Sequence, residues 1–484
     1  MRKHAFVWRA ITAALLTIGF YLLAISIAAA LLAGVAIEIV YAHQIFIKAT
    51  LLAIFGALAI LWSILPRIDR FLPPGPRLEP ASQPELFSVL SDIATATEQE
   101  MPWEVFLVGD PNAFVTRRGG LMGIGSRRVM GIGLPLLQTL TIPQFRAVIA
   151  HEFGHYHGGD TALGPWIYRT REAINRTIMT LSGKLSGLHK PFLWYGRLFM
   201  RVTQSISRAQ ESAADLLAAR VGGARNAIDA LLAVQRSAAV FDVYWDTEVI
   251  PVLSHGFRPP IAAGLTHFMD QEQIATQLRE AIEKDLKEGK SDPFDSHPPL
   301  RERIASLEPL ADDAASEDAP LASTLIRGMD AVELNLLRFF AQDPSAIAAL
   351  PKIDWAETGT RAFLPEWQVN VTKNADVLRT ILPILLPSLL NDFPQFVARL
   401  NLKDVPPDQH ESAANAILGS GLAVRLHREG WVCDASPGRP ITMSKGDAII
   451  APFTIMPRLA TGELTDEDWI TDCANLGFGA LPLA

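Results

Sequence analysis

Two long apolar runs stand at the start of the chain and have the length of membrane helices. The 28 residues between Arg9 and Glu38, and the 18 residues between Lys48 and Arg67, hold no charged side chain. A membrane-spanning helix needs about 20 apolar residues, so each run predicts a span. A cleaved signal peptide is a poorer interpretation of the first run, because this run is longer than the apolar region of a signal peptide. Residues 1–66 are therefore predicted to form a two-helix transmembrane hairpin.

Positive charge flanks this hairpin at both of its outer ends. The cations are Arg2, Lys3 and Arg9 before it and Arg67, Arg70 and Arg77 after it. Because Lys and Arg are retained on the cytoplasmic side of membranes, both ends are expected in the cytoplasm. The pattern predicts an integral protein of the inner (cytoplasmic) membrane whose later domains are cytoplasmic.

The remainder of the chain reads as two soluble parts with helical and strand periodicity. Alternation over 103–108 predicts a strand, while the apolar run 377–390 is broken by prolines and predicts a core segment. The fold class is α+β and mostly helical, with a small sheet in the first part and a mixed α/β C-terminal region. The predicted order is the hairpin over 1–66, a proline-rich linker over 67–80, a first domain over 81–310, an acidic linker over 311–322 and a C-terminal domain over 323–484.

Composition removes two classes of protein. Lys and Arg total 43 against 51 Asp and Glu, giving a net charge of -8, which argues against a nucleic-acid binder held by a general positive field. The only two cysteines, Cys433 and Cys473, cannot form a disulfide framework, as is typical of a reducing compartment.

The candidate chemistry lies on an amphipathic helix predicted over 143–157, with Thr141 as its N-cap. It contains the pattern HExxH, in which His151 and His155 share one helix face and can bind the same zinc ion. Glu152 stands beside that position, where it can take a proton from water. The alternative is a pair of surface histidines, but the helix is apolar and would bury them. The pattern predicts one Zn²⁺ per chain.

A catalytic zinc takes a third protein ligand, and the candidates are downstream. Glu211 and Asp215 share one face of an alanine-rich helix, which suits a ligand and an acceptor for a ligand's N–H. A solvated acidic pair is the alternative. His297, followed by two prolines, could donate to the oxyanion formed when water attacks a carbonyl. A loop histidine before a helix is the alternative there.

The ordered motifs NAF, HEFGH, RAQESAAD and SHPPLRERI over residues 84–308 resemble the zinc metallopeptidase family of the heat-shock membrane protease HtpX and the CAAX prenyl endoprotease. The resemblance implies a zincin-like (gluzincin) peptidase domain. It implies His151, His155 and Glu211 as ligands, Glu152 as general base and His297 as oxyanion donor. It also implies roles for five other residues: Asp215 orients a ligand histidine, Asp160 supports the helix end, Arg303 packs behind His297, and Asn112 and Val129 line the substrate groove.

The chain departs from that family between its second histidine and Glu211. The relatives have two further membrane spans there, whereas residues 161–210 hold eight Lys or Arg and one acidic residue, with charge-free gaps too short to span. Aromatic residues accompany the cations, including Phe192, Trp194, Tyr195 and Phe199. This pattern predicts a segment that lies on an anionic membrane surface.

Three functions are compatible with the sequence. The first is a membrane-anchored zinc endopeptidase, acting on polypeptides, with a place in membrane-protein quality control. The second is a membrane sensor whose peptidase domain cleaves a regulator, and the third is a zinc-stabilised scaffold without activity. The expected partners are a polypeptide substrate and membrane lipid, with no nucleic acid.

Overall fold

The computed structural model describes residues 2–42, 46–65, 68–69, 71–121, 125–155, 164–182, 187–289, 298–311, 319–403 and 405–484. These residues form two compact units. The first comprises Met1–Arg236 and Glu280–Arg327, and the second comprises Ser237–Arg279 and Gly328–Ala484. The division differs from the predicted domains, since Ser237–Arg279 belongs with the C-terminal unit. The domain boundaries themselves stay a prediction.

The two apolar runs are helices that pack against each other. They are α1 (Arg2–Ile37), which a π-helical turn extends to Ala42, and α2 (Ile47–Ile64), and both are long and apolar enough to cross a membrane. Small side chains such as Ala28 and Ala57 are buried between helices. Large apolar side chains point outward instead, and Leu15, for example, is 62% exposed. An outward apolar face of this kind is typical of helices surrounded by lipid.

Two helices of the basic segment pack against this pair. They are α6 (Gly164–Leu181) and α7 (Lys190–Gly222), and their buried residues join those of α1 and α2 in one core. Three of the aromatic residues predicted to face a membrane, Phe192, Tyr195 and Phe199, are buried in that core. The prediction was wrong for these three residues, because they cover the flank of α1.

The first unit also contains further helices and a small sheet. The helices are α3 (Pro84–Ala96), α4 (Leu134–Thr139), α5 (Ile142–Gly154) and α12 (Leu300–Leu307), while α8 (Ala224–Tyr244) and α11 (Glu272–Glu288) belong in part to each unit. The strands are β1 (Ile68–Asp69), β2 (Arg77–Leu78), β3 (Glu104–Val108), β4 (Ala113–Arg118), β5 (Gly120–Leu121) and β6 (Arg127–Gly133).

Four of these strands form the main sheet, in the order β2-β3-β6-β4. Strand β6 is parallel to β3, with Glu104 opposite Val129, and antiparallel to β4, with Ala113 opposite Ile132. The predicted strand over 103–108 is confirmed as β3. In the described part of the chain, β4 pairs with β6 on one side only, so it is an edge of the sheet.

The second unit has its own apolar core. Its helices are α9 (Ile250–Ser254), α10 (Ile261–Met269), α13 (Met329–Phe340), α14 (Pro344–Ala349), α15 (Trp355–Thr358), α16 (Leu364–Lys373), α17 (Ala375–Leu378), α18 (Leu386–Leu389), α19 (Phe393–Arg399), α20 (His410–Arg428), α21 (Ile455–Thr461) and α22 (Asp466–Leu476). An antiparallel sheet of β7 (Val432–Asp434), β8 (Thr442–Lys445) and β9 (Ala448–Ile450) completes it. Leu378 and Leu386 are buried in the core, which confirms 377–390 as a core segment.

Candidate active site

Helix α5, which carries the HExxH pattern, has a well-defined start. The Thr141 hydroxyl accepts a hydrogen bond from the Gln144 backbone N–H, and the Gln144 side chain accepts one from the Thr141 N–H. This capping box satisfies two N–H groups that a helix leaves without intrahelical partners. The predicted N-cap is therefore confirmed, and the described helix ends at Gly154 with His155 as its C-cap.

Helices α5 and α7 approach each other closely because glycines meet alanines at two points. A Cβ atom on Gly154 would lie 2.7 Å from the Ala214 Cα, and one on Gly222 would lie 2.6 Å from the Ala147 Cβ. No ordinary side chain fits at either place. The two contacts hold the HExxH helix directly against the helix that carries Glu211.

Three side chains meet between these helices. The Glu211 carboxylate places one oxygen 3.5 Å from the His151 Nε2 and the other 3.7 Å from the His155 Nε2. Glu211 is 5% exposed and His151 is 9% exposed. The structure thus brings together the three residues that the sequence indicated as ligands.

The donor set and its spacing fit zinc. In a tetrahedral site with metal–ligand bonds of about 2.0–2.2 Å, neighbouring ligand atoms lie roughly 3.3–3.6 Å apart. The separations between Glu211 and the two histidines are within a few tenths of an ångström of that value. Ligand atoms of His151, Glu152 and His155 also lie within 4.8 Å of one another, so the Glu152 carboxylate borders the same position.

A charged pair supports His151 from the far side of its ring. The His151 Nδ1 lies 3.0 Å from an Asp215 oxygen, and Arg303 donates to both Asp215 oxygens at 2.6 and 3.0 Å. An N–H held by a carboxylate fixes the tautomer and orientation of a ligand histidine. Sequence reasoning missed the pairing of Arg303 with Asp215, because no local pattern joins residues 88 positions apart.

These contacts shift the pKa of each partner. Burial disfavours the charged form of His151, but hydrogen bonds to Asp215 and Glu211 and the charge of Glu152 outweigh it, so the pKa of His151 is raised to about 9. Burial likewise opposes the ionisation of Asp215, but its bonds to His151 and Arg303 prevail and hold its pKa below the ordinary value.

A cavity of about 450 Å³ opens beside this cluster. Among its lining residues are Asn112, Ala113, Ala147, His151, Glu152 and Arg303. Asn112 directly precedes β4, which is an edge strand of the main sheet in the described part of the chain. Pro298 and Pro299 line the cavity as well. His297 and Asp160 lie outside the described residues, so their roles stay predictions.

The prediction for Val129 was wrong. Val129 lies on β6, which pairs with Glu104 on β3 and with Thr116 on β4, and it is only 2% exposed. A substrate cannot pair with a strand whose two edges are already occupied. Among the described strands, β4 lies at this edge of the sheet, and its position there depends on a strand order that sequence alone does not specify.

At this site two imidazoles and a carboxylate surround one point, and a second carboxylate lies beside it. This geometry is typical of metallopeptidases. Comparison with known proteins agrees. Residues 80–311 match the family model "Peptidase family M48". A curated relative from Thermodesulfovibrio yellowstonii, "Protease HtpX homolog", is 23% identical over 259 residues, which cover 48% of this chain and 77% of the relative. No solved structure matches the chain significantly.

The resemblance to HtpX-like zinc metallopeptidases is thereby confirmed, and that to the CAAX prenyl endoprotease stays a prediction. The predicted fold class is confirmed as a mostly helical protein with a small sheet. The relative and the two apolar helices together indicate a membrane protein.

Proposed function

We propose that this chain is a membrane-anchored zinc endopeptidase of the glutamate-zincin type. The observation that carries the proposal is the Glu211 carboxylate, whose two oxygens face the Nε2 atoms of His151 and His155. These three side chains would hold one Zn²⁺. Bound there, zinc would supply the Lewis acidity that makes water a nucleophile near neutral pH.

The protein's own groups then carry the proton and position the substrate. Glu152 borders the ligand cluster and lines the cavity, so it can take a proton from the attacking water and return it to the leaving amine. An extended polypeptide can lie in the cavity, past Asn112. His297 is proposed to stabilise the oxyanion, because Pro298 and Pro299, which follow it, line the cavity.

Helices α1 and α2 would span the inner membrane, with the start of α1 and the end of α2 on the cytoplasmic side. The outer flanks of the hairpin carry the cations that favour this orientation, and the outward faces of both helices are apolar. The cleft would then act on polypeptides at the cytoplasmic side, as membrane-protein quality control requires.

The test uses the full-length protein purified in detergent. Casein cleavage is measured as purified, after removal of metal by a chelator, and after return of zinc. The proposal predicts cleavage that chelation abolishes and zinc restores. Cleavage that persists at full rate without metal would exclude the zinc mechanism, and zinc binding without any peptidase activity would favour a scaffold.

A further inference from the structure

One face of α7 carries a row of cations and a tryptophan. Lys190, Trp194, Arg197 and Arg201 stand four, three and four residues apart, so they share one side of the helix. All four are exposed, and Trp194 is 65% exposed. We call this set the α7 stripe.

The opposite face of α7 is fixed against α1. The ring of Phe192 meets that of Phe20 edge to face at 6.4 Å, and the Tyr195 hydroxyl donates to the Leu16 carbonyl at 2.6 Å. Gly19 permits this approach, because a Cβ there would lie 2.5 Å from the Tyr195 hydroxyl. Helix α7 therefore cannot turn the stripe inward without losing these contacts.

The lengths of α1 and α2 indicate how deep in the membrane these contacts between α7 and α1 lie. Helix α2 has 18 residues, or about 27 Å at 1.5 Å per residue, which is close to a hydrocarbon core of about 30 Å. Gly56 of α2 faces Leu31 of α1, so Ile64, eight residues later, comes level with Leu23. Helix α1 has 36 residues and continues toward the cytoplasm beyond that level.

The stripe therefore crosses the level of the lipid headgroups. Leu16, which accepts the hydrogen bond from Tyr195, is seven residues beyond Leu23, about 10 Å past the end of α2. Leu188, two residues before the stripe, faces Gly56 inside the core. Between these two levels, α7 passes from the hydrocarbon through the headgroup layer, which is roughly 5–7 Å thick.

The chemistry of each position suits its depth. Lys190 is nearest the core, where a lysine extends its ammonium toward the headgroups. Trp194 follows at the interface, where tryptophan is enriched. Arg197 and Arg201 come last, on the cytoplasmic side of that layer, where long side chains can extend back toward the phosphates. The one acidic residue in this segment, Glu172 on α6, lies 3.8 Å from Arg176 and leaves the stripe positive.

We infer that the α7 stripe is a binding surface for anionic phospholipid headgroups in the cytoplasmic leaflet. The inference rests on the membrane placement of α1 and α2 proposed above, and it goes beyond the peptidase activity. It also changes the expectation from sequence: the segment does not lie flat on the membrane through its aromatic residues, but stands beside α1 and presents its cations sideways to the lipid.

The test measures lipid selectivity of the full-length protein in bilayers of phosphatidylcholine. A trace of spin-labelled phosphatidylglycerol or phosphatidylcholine is added, and electron paramagnetic resonance gives the association of each lipid with the protein. The wild type should prefer phosphatidylglycerol at low salt. The variant K190S/R197S/R201S should lose roughly 10- to 100-fold of that association, since each cation near the leaflet contributes about fivefold.

Two variants control for loss of charge and loss of fold. R220S/R225S/R236S removes three exposed cations further along α7 and α8 and should keep the wild-type preference. K190R/R197K/R201K keeps the charge of the stripe and should also keep the preference for phosphatidylglycerol. A serine variant that binds phosphatidylglycerol as tightly as the wild type, or a wild type without any preference, would overturn the inference. Extraction of the wild type from membranes by alkaline carbonate would contradict the membrane placement of α1 and α2 on which the inference rests. Casein cleavage tests the peptidase activity independently.

Discussion

Asp215 holds the ring of His151 from the side opposite Glu211. One Asp215 oxygen lies 3.0 Å from the Nδ1, while a Glu211 oxygen lies 3.5 Å from the Nε2 of the same ring. The two acids stand one turn apart on α7, so a single helix would supply both the proposed ligand Glu211 and the group that orients His151. This division of roles predicts different outcomes when each acid is removed.

Replacing Glu211 by Ala should abolish zinc binding, whereas replacing Asp215 by Ala should weaken it. The first change removes a direct bond to the metal. The second removes only orientation, which is typically worth 10–100-fold in affinity or activity. Competition with a chromophoric chelator gives both affinities. Unchanged affinity in Glu211→Ala would show that the third ligand is another residue.

Replacing Gly154 by Ala should weaken zinc binding although glycine offers no ligand. The added Cβ would lie 2.7 Å from the Ala214 Cα, so α5 and α7 must separate and carry the histidines away from Glu211. The matched control is Gly34→Ala on α1, where an added Cβ meets nothing within 4 Å. Equal zinc affinity in both variants would mean that the helix contact does not position the site.

The buried Glu333 should make the second unit less stable as pH rises. Its carboxylate accepts hydrogen bonds from the Ala262 and Ile261 N–H groups, at 2.8 and 3.2 Å, at the start of α10. Burial raises the pKa of Glu333 above its ordinary 4.5 despite these bonds. Above pH 4.5 the unfolded chain loses a proton that the folded one keeps, so stability falls until the pH passes the raised pKa.

Glu333→Gln cannot titrate and serves as the comparison. The melting temperatures of the wild type and of Glu333→Gln are measured from pH 4.5 upward. The wild type should lose stability relative to the variant over this range, and the difference should become constant above the raised pKa. Parallel curves would show that Glu333 has the same pKa in the folded and unfolded chains.

The ligand helix could be predicted because its information is local. The cap at Thr141, the apolar face and the spacing of His151 and His155 all lie within 15 consecutive residues. Glu211 came from a second local pattern, and only the family resemblance joined the two. The glycine–alanine contacts that bring these helices together join residues 60 or more positions apart and leave no local sign.

The misplaced features share one cause, since each depends on a neighbour distant in sequence. Val129 was predicted to line the substrate groove, but β4 covers the outer edge of β6, the strand that carries Val129. Phe192 and Tyr195 are of residue types that are common at membrane interfaces, but they pack against the apolar flank of α1 instead. The segment Ser237–Arg279 lies between the motifs RAQESAAD and SHPPLRERI in sequence, yet packs with the C-terminal unit.

The most direct test of the central claim measures zinc content and casein cleavage in one preparation of Glu152→Gln. Gln keeps the size of the side chain and can hydrogen-bond water, but it cannot accept a proton. The expected result is one zinc per chain, as in the wild type, with turnover reduced about 10²–10⁴-fold. Glu280→Gln, an exposed acid on α11, should retain both. Near-normal turnover in Glu152→Gln would contradict the assignment of Glu152 as the general base.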